Sequence, residues 1–292
     1  FLDGGDQWWH WQTFFTRNGQ ANPWLVSVRA AFARGDLVVA GTSAGAAVQS
    51  GQPGMISNGT STNALARGSI SAPFSMPEGC ERANRCPPGV IEDDLTWWHR
   101  GGLDLIGPVL VDTHVSERRR ELRLITLMTD IVASTGKGPE AGIGLDETSA
   151  LTVRKQADGL QLEASGQSGV WWFEAPDERN DVSGWTLRGH YLAPGAIARW
   201  WNGRIQTQGN EPAYMVRNSR MLDGGDALQA EGLRTALWNM ARGGYTGTAL
   251  DAAGLRLTVR TTPETHYWQG PQGQQGLTDL ILELSPKSDR RH

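Results

Sequence analysis

The stretch Asp36-Leu-Val-Val-Ala-Gly-Thr-Ser-Ala-Gly-Ala-Ala-Val-Gln-Ser50 constrains the fold more than any other part of the chain. Leu37 to Ala40 is short and wholly apolar, which reads as a buried strand; it breaks into Gly41-Thr-Ser-Ala-Gly45 before an Ala-rich helical segment. A G-x-S-x-G turn between strand and helix holds its serine in a strained backbone conformation, with glycines where a side chain would collide with neighbouring elements. The oxygen of Ser43 is then exposed at the carboxyl end of the sheet, and the N–H of Ala44 faces a developing oxyanion. The same kind of turn also serves phosphate binding or plain packing, so the rest of the chain has to supply a base.

The flanking order is that of a parallel α/β sheet. Asn22-Pro23 starts a helix with Leu25, Val28 and Phe32 on one face and Gly35 closing it, and the elbow strand follows at once. Trp8 to Phe14 begins another helix after the Gly4-Gly-Asp-Gln7 turn. From Gly51 to Gly102 the pattern dissolves into Gly, Pro, Ser and Asn, a long loop of the kind used as a lid or binding segment. Leu105 to Val111 returns as a buried strand that delivers Asp112-Thr113-His114 at its carboxyl end, where open α/β sheets bind ligands. Ser116 is placed to cap a helix with Glu117 in its first turn and Leu122, Ile125, Met128 and Val132 as its apolar stripe. Gly142 to Val153 is the next apolar segment, broken by Asp146-Glu147. Beyond it come strands over Leu160–Glu163, Val170–Phe173, Leu187–Leu192, Leu255–Thr261 and Leu277–Leu284, with one amphipathic helix over Ala227–Arg242. The expected fold is α/β: a mostly parallel sheet flanked by helices over residues 1–155, and a β-rich part over 156–292 packed on or continuing the same domain.

At 292 residues, 39% hydrophobic and 20% charged, the chain can bury a substantial core, and a formal charge of −4 argues against a general nucleic-acid binder. No apolar run approaches the roughly 20 residues a membrane-crossing helix needs. Phe1 to Gly5 reads as the tail of a strand. Earlier strands are therefore expected from upstream residues or from a companion segment left by processing. The two cysteines, Cys80 and Cys86, do not have zinc-site spacing, and no metal or other cofactor is implied. Their Gly/Pro-rich surroundings suit a small disulfide-closed loop and hence an oxidising compartment, secreted or periplasmic; two unrelated thiols are the alternative.

A serine needs a base, usually a histidine oriented by an acid. His292 is terminal, His190 and His266 fall in the late β regions, and His10 and His99 sit among tryptophans. His114 alone follows a strong buried strand at its carboxyl end, and Glu147 is the acid by the same placement, with Asp146 and Asp112 as rivals. The order Ser, His, Glu differs from that of α/β-hydrolases, chymotrypsin and subtilisin.

Four segments resemble the cyanophycinase and dipeptidase E group of serine peptidases, in family order. They are Gly4-Gly-Asp-Gln7, Gly41-Thr-Ser-Ala-Gly-Ala46, Asp112-Thr-His-Val-Ser-Glu-Arg-Arg-Arg-Glu-Leu-Arg-Leu124 and Gly142-Ile-Gly-Leu-Asp-Glu147. The resemblance covers about the first half of the chain and implies a class I glutamine amidotransferase-like sheet. It implies Ser43 as nucleophile, His114 as base, Glu147 as orienting acid, and the amides of Gly5 and Ala44 as oxyanion hole. Gln7, Asp112, Thr113, Arg118, Arg120 and Arg123 fall at positions that shape or line the substrate site. Thr113 stands where glutamine is common in cyanophycinases, and Val115 where phenylalanine is usual. The family's sheet also has strands before the glycine turn.

Arg118, Arg119, Arg120 and Arg123 could equally form a solvated helix face, with Arg118 and Arg120 pointing apart. Guanidinium groups also suit an aspartate-rich substrate. The thirteen tryptophans fit core filling and aromatic lining better than sugar stacking. The expectation is a serine hydrolase cutting the aspartate backbone of cyanophycin, multi-L-arginyl-poly-L-aspartate, to release β-aspartyl-arginine. The other readings are a peptidase for aspartyl dipeptides and a non-catalytic binder of acidic polymers on the same fold. No nucleic-acid or membrane partner is expected, and a homodimer is left open.

Overall fold

A computed structural model describes residues 1–72, 79–176, 184–207 and 212–287. The chain divides into two compact units, the first made of Phe1–Thr113 with Leu122–Glu140 and the second of His114–Glu121 with Ala141–His292. The boundary expected near residue 155 falls inside a strand of the second unit, Ser149–Gln156.

The first unit begins with α1 (Gln7–Phe14), capped by the Asp6 carboxylate, which accepts from the N–H of Trp8 at 2.8 Å. Helix α2 (Pro23–Arg34) starts and stops as the sequence dictates. The Asn22 side chain accepts from the N–H of Leu25, proline occupies the first turn, and Gly35 ends the helix at φ 79°. The short α3 (Ala44–Ala47) follows the elbow. The region expected as a loop holds β1 (Met55–Asn58), α4 (Ser61–Arg67), β2 (Ser69–Ser71) and β3 (Leu95–Trp98), which form a small sheet in the order β1-β3-β2. Its Gly/Pro/Ser composition hid strands of three and four residues. Cys80 and Cys86 are joined in a disulfide. Pro77, at the start of that loop, lies outside the described residues.

Strand β4 (Val109–Thr113) is buried throughout, and α5 (Glu121–Thr135) buries Leu122, Leu124, Ile125, Leu127, Met128 and Ile131. Apolar residues on nearly every side make α5 an interior helix rather than an amphipathic one. It starts four residues later than Ser116 predicts, because residues 116–119 form turns and Arg119 has φ 58°. The core of this unit gathers Trp11, Leu25, Val48, Met55, Trp98, Leu103 and Leu105. The elbow strand departs from expectation: Val38 is 87% exposed, and Leu37–Ala40 forms no ladder beyond a parallel bridge from Leu2 to Gly41. The bonds are Leu2 N–H to the Ala40 carbonyl at 2.8 Å and Thr42 N–H to the Leu2 carbonyl at 3.0 Å.

The second unit is β-rich. It comprises β5 (Ala141–Leu145), β6 (Ser149–Gln156), β7 (Gly159–Gly166), β8 (Val170–Glu174), β9 (Trp185–Leu192), β10 (Ile197–Trp201), β11 (Arg204–Thr207), β12 (Asn218–Asp226), α6 (Gly232–Gly243), β13 (Tyr245–Ala252), β14 (Leu255–Arg260), β15 (Tyr267–Gln269) and β16 (Gln275–Pro286). The larger sheet runs β12-β13-β14-β16-β9-β8-β5, with β15 on β16, and a four-stranded sheet runs β11-β10-β7-β6. Strand β8 is buried on both faces, whereas β7 buries only alternate residues, Leu160, Leu162 and Ala164. Leu233, Ala236, Leu237 and Met240 recur at helical spacing and seat α6 on β12 and β13.

The fold is α/β with mixed sheets and a β-rich second half. A mostly parallel sheet flanked by helices is not what the units show. Among the described pairings within them, β2–β3, β12–β13 and the Leu2–Gly41 bridge are parallel, and the other ladders are antiparallel. Short turns such as Ala157-Asp158 between β6 and β7 allow only antiparallel neighbours, since a parallel return needs a crossover of a dozen residues or more. No helix among the described residues is long and apolar enough to cross a membrane.

Candidate active site

In the first unit the elbow is built by close backbone approach. A Cβ at Gly41 would lie 2.1 Å from the Gly45 carbonyl oxygen, and one at Gly45 would lie 2.2 Å from the Leu2 carbonyl oxygen, so neither position admits a side chain. Ser43 between them sits at φ 50°, ψ −117°, a backbone conformation that non-glycine residues rarely adopt. It is half-buried, and Ala44, which opens α3, is buried. The Leu2–Gly41 bridge brings the glycine turn alongside, and a Cβ at Gly4 would be 3.5 Å from that of Ser43. Gly5 follows at φ 126°, again a glycine conformation.

Three residues expected to shape the substrate site are occupied with structural work. Gln7 Nε2 donates to the Ile56 and Ser57 carbonyls at 2.7 and 2.8 Å, tying α1 to β1. Arg123 grips Asp112 with two bonds, Nε to Oδ2 at 2.7 Å and Nη2 to Oδ1 at 2.6 Å, and both side chains are buried. A further Arg123 N–H reaches the Gly59 carbonyl, and Asp112 Oδ1 accepts from the N–H of Thr113. Paired in this way, Asp112 and Arg123 neutralise one another and fix the end of β4. Thr113 is buried at that end.

In the second unit His114 follows directly in sequence, at φ 55°. Its Nδ1 lies 2.8 Å from Glu147 Oε1. This geometry suits a bond in which Nδ1–H donates to the Glu147 carboxylate, the tautomer in which Nε2 can take up a proton. Arg118 Nε is 3.8 Å from the same Glu147 oxygen, and its side chain is half-exposed. Arg120 and Arg118 lie in the turn before α5 rather than on the helix faces expected for them. Arg119 reaches the Leu228 carbonyl at 3.4 Å.

Behind the dyad lies a buried polar network whose key member, Arg234 on α6, had no motif to announce it. Asp146 accepts from Ser116 N–H at 3.0 Å, from Tyr191 Oη at 2.8 Å and from Arg234 Nη1 at 2.8 Å. Burial pushes its carboxyl up to about 6, while Arg234 pulls it down. Arg234 Nη1 also donates to Glu117 Oε1 at 2.9 Å, and Glu117 Oε2 accepts the backbone N–H of Glu147 at 2.9 Å. Burial alone would lower the pKa of the Arg234 guanidinium, but Asp146, Tyr191 and Glu117 together raise it and hold the group charged. Burial and the neighbouring Asp146 charge keep the Tyr191 phenol protonated, as its bond to Asp146 needs. Asp146, the rival acid, is therefore the anchor of the turn that carries His114 and Glu147.

The other histidines are placed otherwise. His190 is buried, accepts from the N–H of Asp279 at Nδ1 and meets Glu174 at 3.2 Å through Nε2. His10 bonds the Asp3 carbonyl, His99 tilts against Trp98, and His292 lies outside the described residues. Among the described residues no group of three or more His, Cys, Asp or Glu is placed to hold a metal ion. Comparison with protein-family models gives no match, and no solved structure is significantly similar to the chain.

Proposed function

We propose that this chain is a serine hydrolase of the cyanophycinase type. The observation that carries the reading is the elbow, with Ser43 at positive φ between two glycines whose hydrogens are the only substituents that fit. The His114–Glu147 pair supplies the matching base and its orienting acid. In this mechanism Ser43 Oγ attacks the scissile carbonyl as its proton passes to His114 Nε2. The N–H groups of Gly5 and Ala44 receive the negative charge that develops on the carbonyl oxygen. His114 then gives the proton to the leaving amine, and water, activated by the same imidazole, releases the acyl group from Ser43.

The substrate proposed is the aspartate backbone of cyanophycin, with β-aspartyl-arginine as product. Arg118, half-exposed beside Glu147, supports this reading, since a guanidinium there suits an acidic chain. The mostly parallel sheet of the resembling family is part of the same proposal, as is an oxidising, exported location, which rests on the Cys80–Cys86 bond. Incubation of the protein with cyanophycin granules, and separately with aspartyl dipeptides, followed by product identification, tests the reading. β-Aspartyl-arginine from the wild type and none from Ser43→Ala is the expected result. Cleavage of the dipeptides alone would favour the dipeptidase reading, and binding without any cleavage would favour a polymer-binding protein.

A further inference from the structure

A cavity of about 530 Å³ opens in the first unit against α1, the turn after it and the end of β3. Its wall is aromatic. Trp8, Trp11 and Phe15, spaced three and four residues apart, stack in series with centroids 4.9 and 4.7 Å apart and planes within 2° and 7° of parallel. Trp98 stands edge-on to both tryptophans at 5.4 and 5.3 Å. Trp11 and Trp98 are only 5% and 8% exposed, yet the indole N–H of each has no acceptor among the described residues.

The rim is cationic and held in place. The Arg100 guanidinium lies 5.7 Å over the Trp98 ring, and its Nη1 donates to the Asn18 carbonyl. Gly19, at φ 75°, makes room for it, since a Cβ there would fall 1.7 Å from Arg100 Nη1. Arg17 is a second cation in the lining, which contains no carboxylate among the described residues. An aromatic wall and a guanidinium held at its rim together select a ligand that is planar, apolar and negatively charged at one end.

We propose that this cavity is a binding site for an aromatic carboxylate, with the ring against the Trp8–Trp11–Phe15 stack and the carboxylate on Arg100. It is a site separate from Ser43 and does not depend on the hydrolase reading. Isothermal titration of the full chain with 2-naphthoate, with neutral 2-naphthalenemethanol and with acetate tests it. Saturable one-to-one binding of naphthoate is expected, about tenfold or more tighter than the alcohol, with acetate far weaker than either. Arg100→Leu should erase the preference for the acid while keeping the alcohol's affinity, and Ser43→Ala should leave naphthoate binding unchanged. Should Arg100→Leu fail to fold, the comparison of acid with alcohol on the wild type decides alone. Equal affinity for acid and alcohol, an unchanged preference in folded Arg100→Leu, or no saturable binding of naphthoate would each overturn the proposal.

Discussion

Replacing Glu121 by glutamine should make the protein markedly more stable at alkaline pH and leave it almost unchanged at pH 5. Glu121 is fully buried, and its carboxyl is pushed up to about 8, first by burial and then by the nearby Asp146 charge, against bonds from its own backbone and from Ser116. In the unfolded chain the same group titrates near 4.5. Between those values the native state holds a proton that the unfolded state has released, so stability falls as pH rises through the window and levels off above it. At about 1.4 kcal/mol per pH unit, the loss attributable to this one residue across the window is on the order of 5 kcal/mol. Glutamine has nearly the same shape and cannot ionise. The difference in unfolding free energy, variant minus wild type, should therefore grow from near zero at pH 5 to several kcal/mol at pH 9. Urea unfolding followed by tryptophan fluorescence at pH 5, 7 and 9 measures it directly, and taking the difference cancels the pH dependence of groups that do not interact with Glu121. Parallel stability profiles for the two proteins would refute the reasoning.

Ser43→Ala should lower kcat on cyanophycin by on the order of 10⁶ and His114→Ala by a similar factor, with Glu147→Gln costing less; near-normal turnover in the serine variant ends the nucleophile assignment. Arg234→Met strands the buried Asp146 charge and should cost about 3–5 kcal/mol in urea unfolding, whereas a change below about 1 kcal/mol would mean the network is dispensable. Reducing the Cys80–Cys86 bond removes about 2 kcal/mol of loop-closure stabilisation, felt locally. Faster amide exchange confined to the cysteine loop and its neighbours is the expected signature, and global unfolding on reduction would contradict it.

The sequence carried the elements that announce themselves locally. Asn22-Pro23 and Gly35 mark both ends of α2 because capping and the left-handed glycine are properties of a few adjacent residues. The strands β7, β8, β9, β14 and β16 were legible from alternation or from short buried runs. Strands β10 to β13 were not, since Arg199, Arg204 and the Asp223-Gly-Gly-Asp226 run break any apolar rhythm. The start of α5 was misplaced for a physical reason. Ser116 has the chemistry of a cap, but its N–H, hydroxyl and carbonyl are taken by Asp146, Trp171 and Glu231. Leu37–Ala40 is apolar enough for a buried strand, yet composition alone says nothing about which neighbours cover it.

The same distinction separates what was readable in the candidate site from what was not. A tight glycine-flanked elbow is a contiguous solution to a steric problem, so Gly41, Ser43 and Gly45 betray it within five residues. Holding His114 and Glu147 in register is a problem solved across the unit instead. Glu147 is steadied at its backbone N–H by Glu117, Glu117 by Arg234, and the turn before it by Asp146, which Arg234 and Tyr191 hold from α6 and β9. These residues are separated by up to 117 positions and share no spacing rule. Charge complementarity joins them: the Arg234 guanidinium lies between the Asp146 and Glu117 carboxylates, within 2.8 and 2.9 Å of each. The β-rich half of the chain is thus more than an appendage to the motif-bearing half. It contributes the cation on which the geometry of the His114–Glu147 pair depends.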